Sequence, residues 1–337
     1  MNNKEKKGID VHSHWIPAAY IDYIKEGKLG DLASYSKTEE GDILQFPVPG
    51  NDKKAWIPIS QELTNFNKRY RDMEEMGIEK CVIAPIPFAM HYHGEAELVL
   101  GVDKLLNDST AEMVAKYPGH MKGLAHVPLQ SVKLAIKELE RAVCDLKLSG
   151  VHLGTNIRGK YLGEEEFWEF FEAAEALNAV VLTHPIDVAG YDRMQSFYAR
   201  NLVGNPLDTT LTAGSLIFSG IFDKFPNLKI ILCHAGGMVP YLIGRWDHGS
   251  AVREECKKPK NAPSDYLCNF YYDIIAHSKD SLRFMVSQVG SDRVLLGTDY
   301  PFDMGLSDPL GKLNEADFDK KDFQRIMRDN AAKLFGF

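Results

Sequence analysis

His12 and His14 stand two residues apart in Ile9-Asp10-Val11-His12-Ser13-His14-Trp15, at the end of an apolar run that opens with Gly8. Side chains two apart on a strand project the same way, so both imidazoles can reach one metal ion. Three further segments share this design. His184-Pro185, Cys233-His234-Ala235-Gly236-Gly237 and Gly297-Thr298-Asp299-Tyr300-Pro301 each follow a short apolar run, with the polar residue at its C-terminal end. Any one of these residues alone reads equally well as a hydrogen-bonded, partly buried side chain. The coincidence of all of them predicts one metal site assembled from separate strands.

Three imidazoles and a carboxylate suit a single divalent ion, zinc first and manganese or iron as alternatives, with one coordination position left for water or substrate. His234 reads either as a ligand or as a proton carrier beside the metal, because an imidazole with an ordinary pKa of about 6.5 exchanges protons at neutral pH. Gly236-Gly237 leaves room for a substrate to approach the backbone there. Strand alternation places Cys233 on the face opposite His234, as a core residue and not a nucleophile.

Residues so far apart can meet only if the chain returns to one place. Eight short apolar or β-branched runs supply the returns: Gly8 to Val11, Lys80 to Ile86, Met121 to Val127, Gly150 to Leu153, Ala179 to Leu182, Leu228 to Cys233, Phe270 to Ile274 and Arg293 to Leu296. Their continuity predicts strands covered on both faces. Amphipathic segments of helix length lie between most of them, including Leu63 to Met76, Leu105 to Tyr117, Val132 to Leu146, Glu164 to Leu177 and Ser281 to Val289. This alternation predicts an α/β fold, a (β/α)8 barrel formed by a single domain over residues 1–337. A doubly wound open sheet is the alternative, but no GxGxxG or Walker signature supports a nucleotide site in one. Residues 20–59 break the rhythm and predict a small insertion after the first strand, over the barrel mouth where βα loops build active sites.

The run Gly150-Val151-His152-Leu153-Gly154 carries no lysine, the residue that in carboxylated form bridges two metals in binuclear barrel hydrolases, so a mononuclear site is expected. His91 and His93 repeat the opening spacing but follow a loop-like stretch and read as pocket-lining at most. His126, His152 and His277 read as packed or surface histidines. Arg193 and Arg245 are candidates to grip a substrate carboxylate, which guanidinium does bidentately, with surface ion pairs as the competing reading.

Composition narrows the partners. A formal net charge of −8 over 337 residues argues against a nucleic-acid surface, which needs a basic stripe to displace counterions. The five cysteines are scattered with no CxxC pair, and the charged opening Met1-Asn2-Asn3-Lys4-Glu5-Lys6-Lys7 is followed by no apolar signal region. We therefore expect reduced thiols, a cytoplasmic location and no membrane span.

In their order, Asp10-Val11-His12-Ser13-His14, Thr183-His184-Pro185, Cys233-His234-Ala235-Gly236-Gly237 and Leu296-Gly297-Thr298-Asp299-Tyr300-Pro301-Phe302 closely resemble the amidohydrolase superfamily. Within it, the chain is similar to the branch containing 2-amino-3-carboxymuconate-6-semialdehyde decarboxylase and related aromatic-acid decarboxylases. The resemblance covers nearly the whole chain and is strongest from Gly150 onward. It implies His12, His14, His184 and Asp299 as metal ligands, and His234 as the residue that works on metal-bound water or a transferred proton. It also implies that Arg245 reaches a substrate carboxylate from a neighbouring subunit, hence a homodimer. Two positions depart from the pattern: Asp42 to Trp56 contains no arginine, and Asn201 stands where the resemblance leads to a pocket tryptophan.

The expected reaction is nonoxidative, metal-dependent decarboxylation of a small unsaturated or aromatic carboxylic acid, with Asp299 and His234 as proton carriers. The alternative is hydrolysis of an amide, lactone or ester by the same constellation. A metal-binding scaffold without turnover is the third reading, and the open ligand set argues against it.

Overall fold

The computed structural model describes residues 7–48 and 51–337, so most of the charged opening lies outside the described residues. The strands in chain order are β1 (Gly8–Trp15), β2 (Ser34–Thr38), β3 (Gly41–Val48), β4 (Asn51–Pro58), β5 (Ile78–Pro85), β6 (Met121–Gly123), β7 (Gly150–Gly154), β8 (Asn156–Ile157), β9 (Lys160–Tyr161), β10 (Val180–His184), β11 (Lys229–Leu232), β12 (Phe270–Asp273) and β13 (Val294–Leu295).

Eight of these form the barrel. One parallel run pairs β1, β5 and β6, and a second pairs β7, β10, β11, β12 and β13. Two seams close the ring. Ala125 bridges to Val151 at one, and Ser13 bridges to Tyr300 at the other, where the Val11 N–H donates to the Leu296 carbonyl at 3.0 Å. Helices cross between successive strands, as parallel neighbours require, and the fold is the expected (β/α)8 barrel.

Alternation along the strands separates two apolar layers. Val82, Val180, Leu182, Ile231, Cys233 and Leu295 fill the interior, with Leu334 and Phe335 of the last helix packed against them. Their neighbours Ile83, Val151, Val181, Ile230, Leu232 and Val294 face outward under the helices. Asp10 locks the second seam: its carboxylate accepts from the His12 N–H, the Thr298 N–H and, at 2.6 Å, the Thr298 hydroxyl. Complete burial pushes its pKa up to about 6 in spite of these bonds.

The insertion after β1 is more ordered than its mixed composition suggests. It holds a helix, Ala18–Lys25, and the antiparallel sheet β2-β3-β4. Leu44, Phe46 and Ile57 of that sheet pack with Ile86 and Ala89, which follow β5. Element boundaries elsewhere differ for local reasons. The segment Leu63 to Met76 is two helices, Gln61–Thr64 and Phe66–Glu75, because Asn65 leaves helical geometry to cap the second with its side chain. The third barrel strand stops at Gly123, short of Val127, and continues only as the Ala125 bridge.

Candidate metal centre

The C-terminal ends of β1, β10, β11 and β13 meet on one small volume. His12, His14, His184 and Asp299 each place a ligand atom there, all within 4.8 Å of one another, and all four residues are buried. The His12 and His14 Nε2 atoms are 3.1 Å apart. Asp299 Oδ1 lies 3.3 Å from His12 Nε2, 3.1 Å from His14 Nε2 and 3.9 Å from His184 Nε2.

Tautomers decide what these contacts mean. His12 Nδ1–H donates to Asp273 Oδ2 at 2.9 Å, and His184 Nδ1–H to the Pro185 carbonyl at 3.1 Å. In its neutral form each ring, with its proton held on Nδ1, turns an Nε2 lone pair toward Asp299. His184 Nε2 and Asp299 Oδ1 have no hydrogen-bond partner although both are buried. Lone pairs and a carboxylate oxygen converging without donors between them fit one divalent metal ion. Burial pushes the His14 pKa down to about 3 and that of His184 to about 4, which keeps both neutral as ligands must be. Burial alone would raise Asp299, but the imidazoles of His12, His14 and His184 gathered around it hold it well below the usual carboxylate range, ionised as a ligand must be.

His234 arrives by a different route. Strand alternation turns Cys233 inward, contrary to the sequence expectation, and its Sγ lies 3.6 Å from His12 Nε2. Burial pushes the thiol up to about 12, so it is no thiolate nucleophile. His234 reaches the centre because the chain turns left-handed there, with φ of 55° at both His234 and Ala235. Its Nε2 sits 3.5 Å from Asp299 Oδ2. Gly237 completes the turn at φ 62°, where a Cβ would collide with the Pro206 carbonyl oxygen. Asp273 holds this strained turn, accepting from the His234 N–H at 2.9 Å and the Ala235 N–H at 2.8 Å.

Asp273 escaped the sequence reading, although its place at the end of the seventh barrel strand was the same signal that marked His184 and Asp299. His152 lies inside the barrel on β7, its ring 5.3 Å from His14 and 5.6 Å from His184, with Nδ1 3.1 Å from His126 Nε2. Both are packed histidines, and His152 occupies the strand that carries the bridging lysine in binuclear barrel hydrolases.

A cavity of about 960 Å³ opens above the centre, reaching His184 and Asp299 at one end and Phe46 and Trp56 of the insertion at the other. His91 and His93 line it; His91 Nε2 meets the Tyr20 hydroxyl at 2.7 Å, and His93 pairs with Asp187 at 2.9 Å. Arg193 and Arg245 are exposed and line neither this cavity nor the second one, of about 650 Å³, beside His234. The arginine in the wall is Arg200, at the start of the helical segment Arg200–Gly204 that leads into the helix Asn205–Ser219.

Residues 9–337 match a family model described as amidohydrolase. The chain is 32% identical over 289 residues to 2-amino-3-carboxymuconate-6-semialdehyde decarboxylase of Dictyostelium discoideum, covering 85% of this chain and 80% of that protein. It is 30% identical over 298 residues to gamma-resorcylate decarboxylase of Polaromonas sp. strain JS666, covering 84% and 91%. The crystal structure of a dihydroxybenzoic acid decarboxylase from Polaromonas sp. JS666, with bound manganese and the inhibitor 2-nitroresorcinol, superposes with a TM-score of 0.80 at 25% identity, covering 98% of this chain and 97% of that one.

Proposed function

The chain belongs to the amidohydrolase family, and from that premise we propose that it is a metal-dependent, nonoxidative decarboxylase of a small aromatic or unsaturated carboxylic acid. The observation that carries this reading is that two relatives, at 32% and 30% identity over 85% and 84% of this chain, are named decarboxylases. The donor set supports it: His12, His14, His184 and Asp299 would hold one divalent ion. That ion supplies Lewis acidity toward substrate oxygens and a fixed positive charge beside the electron-rich state. Three imidazoles and a carboxylate accept zinc or manganese, and manganese occupies the Polaromonas structure.

The chain's own residues do the rest. When the carbon–carboxyl bond breaks, its electron pair stays on the carbon and carbon dioxide leaves. A proton taken up from solvent and passed on by His234 or Asp299, 3.5 Å apart, forms the new C–H bond. Asp273 keeps His12 in the tautomer that frees Nε2, and the insertion roofs the cavity against bulk water.

The test is a panel of hydroxybenzoates, aminobenzoates and carboxymuconate semialdehydes offered to zinc- and manganese-loaded protein in deuterium oxide. We expect carbon dioxide release with one deuterium at the vacated carbon. Labelled water oxygen entering a carboxyl product, with no carbon dioxide, would instead establish hydrolysis of an amide, lactone or ester.

A homodimer and a cytoplasmic location complete the proposal. Tyr241, Phe284 and Leu202 are exposed around the second cavity, and Arg245 shares a helix with Tyr241. An apolar patch of this kind favours burial against another protein surface. Sedimentation velocity should give twice the 37.9 kDa chain mass, and Tyr241→Glu should shift it toward the monomer; a wild-type monomer at micromolar concentration would refute the dimer. All five thiols are free and no helix of the described residues is long and apolar enough to cross a membrane, as the location requires.

A further inference from the structure

We propose that Arg200 is a carboxylate anchor within this same chain, and that it makes the cavity select acids bearing a second anionic group. The inference rests on the decarboxylase reading, which already commits one carboxylate to the metal end. Arg200 is half-buried in the cavity wall, its guanidinium carbon 5.7 Å from the Phe88 ring centre and 6.0 Å from that of Tyr191. Phe88 in turn stacks on Phe46 of the insertion at 5.4 Å. Arg200 therefore stands on the roof side of the cavity, away from the strand ends that carry His184 and Asp299.

Aromatic faces attract a guanidinium and fix its plane without using its N–H donors. Those donors have no acid on the protein: among the described residues, no carboxylate lies within ion-pair distance of Arg200. The acids that share its cavity are engaged elsewhere. Asp187 pairs with His93, Asp303 accepts from the Tyr198 hydroxyl at 3.1 Å, and Asp299 faces the histidine cluster. Lys54, the other full cation in the wall, is exposed and donates to the Ser34 hydroxyl at 3.1 Å. A held, acid-free guanidinium facing a cavity is built to take a planar anion through two parallel hydrogen bonds. The volume of about 960 Å³ lies at the upper end of ordinary ligand sites and accommodates a ring with two acidic substituents.

Binding measures this without turnover. Calorimetric titration of the metal-loaded protein should give isophthalate an affinity roughly tenfold or more above that of benzoate, as a charge-assisted bidentate contact provides. Arg200→Met keeps a stem to pack on Phe88 and Tyr191; it should abolish the preference while benzoate binding changes by less than about twofold, and Arg200→Lys should restore part of it. Equal wild-type affinities, binding of neither acid, or an intact preference in Arg200→Met would overturn the anchor. The two readings fail separately. An Arg200-dependent preference without carbon dioxide release from any acid refutes only decarboxylation, whereas carbon dioxide release with an unchanged preference refutes only the anchor.

Discussion

Asp299→Asn should lower kcat/KM for decarboxylation by at least about 10³-fold, the scale of a lost general acid–base group, or roughly 4 kcal/mol in the barrier. The substitution preserves shape, and the backbone bond from the Asp299 N–H to the His12 carbonyl, 2.8 Å, needs no side chain. What it removes is the negative charge facing His12, His14, His184 and His234. Two roles meet in this carboxylate, and metal content separates them. Protein that keeps a full equivalent of metal yet does not turn over has lost its proton carrier; protein that loses metal as well has lost a ligand. Activity within tenfold of wild type would mean that Asp299 serves neither purpose.

The barrel and most of the centre were readable because a parallel strand buried on both faces is a continuous apolar run, and the residue that ends it stands at the mouth. His12, His14, His184 and Asp299 all follow that rule. The rule failed where the backbone left strand geometry. Alternation put Cys233 outside and His234 inside, but Cys233 is the inward residue and His234 enters through a left-handed turn. No two-residue period encodes such a turn; only Gly236-Gly237 hinted at it. After β10 come only short turns before the helical segment Arg200–Gly204, so Arg193 and Arg200 could not be told apart by pattern, and only Arg200 faces the cavity. The insertion concealed its sheet because β3 and β4 are half-exposed strands interrupted by Pro47 and Lys54, not apolar runs. Its aromatic wall likewise comes from Trp56, at a place remote in sequence from Asn201.

Asp273→Asn should be nearly as damaging as the loss of a ligand, although Asp273 lies outside the group His12, His14, His184 and Asp299. Its two oxygens accept four bonds: from His12 Nδ1–H and the His234 N–H on Oδ2, and from the Ala235 and Ile275 N–H groups on Oδ1. Both oxygens face only donors. An amide must point its NH₂ at one pair, so either orientation sets donors against donors. If the NH₂ faces Oδ1's partners, two buried backbone N–H groups lose their acceptor, at about 1–3 kcal/mol each. If it faces Oδ2's partners, the His12 proton is driven from Nδ1 to Nε2, and the lone pair aimed at Asp299 is lost. The same bond keeps the carboxylate ionised: burial would raise Asp273, yet its bond to His12 keeps its pKa below the usual value. Metal affinity should therefore fall by about 10–100-fold, the usual effect of removing the group that orients a ligating histidine. kcat should fall further, because the same oxygens hold the turn that presents His234. A competition titration against a chelating dye measures the first effect, and turnover at saturating metal the second. An unchanged metal dissociation constant would show that His12 is oriented by its strand and by packing, leaving Asp273 only the task of holding the turn.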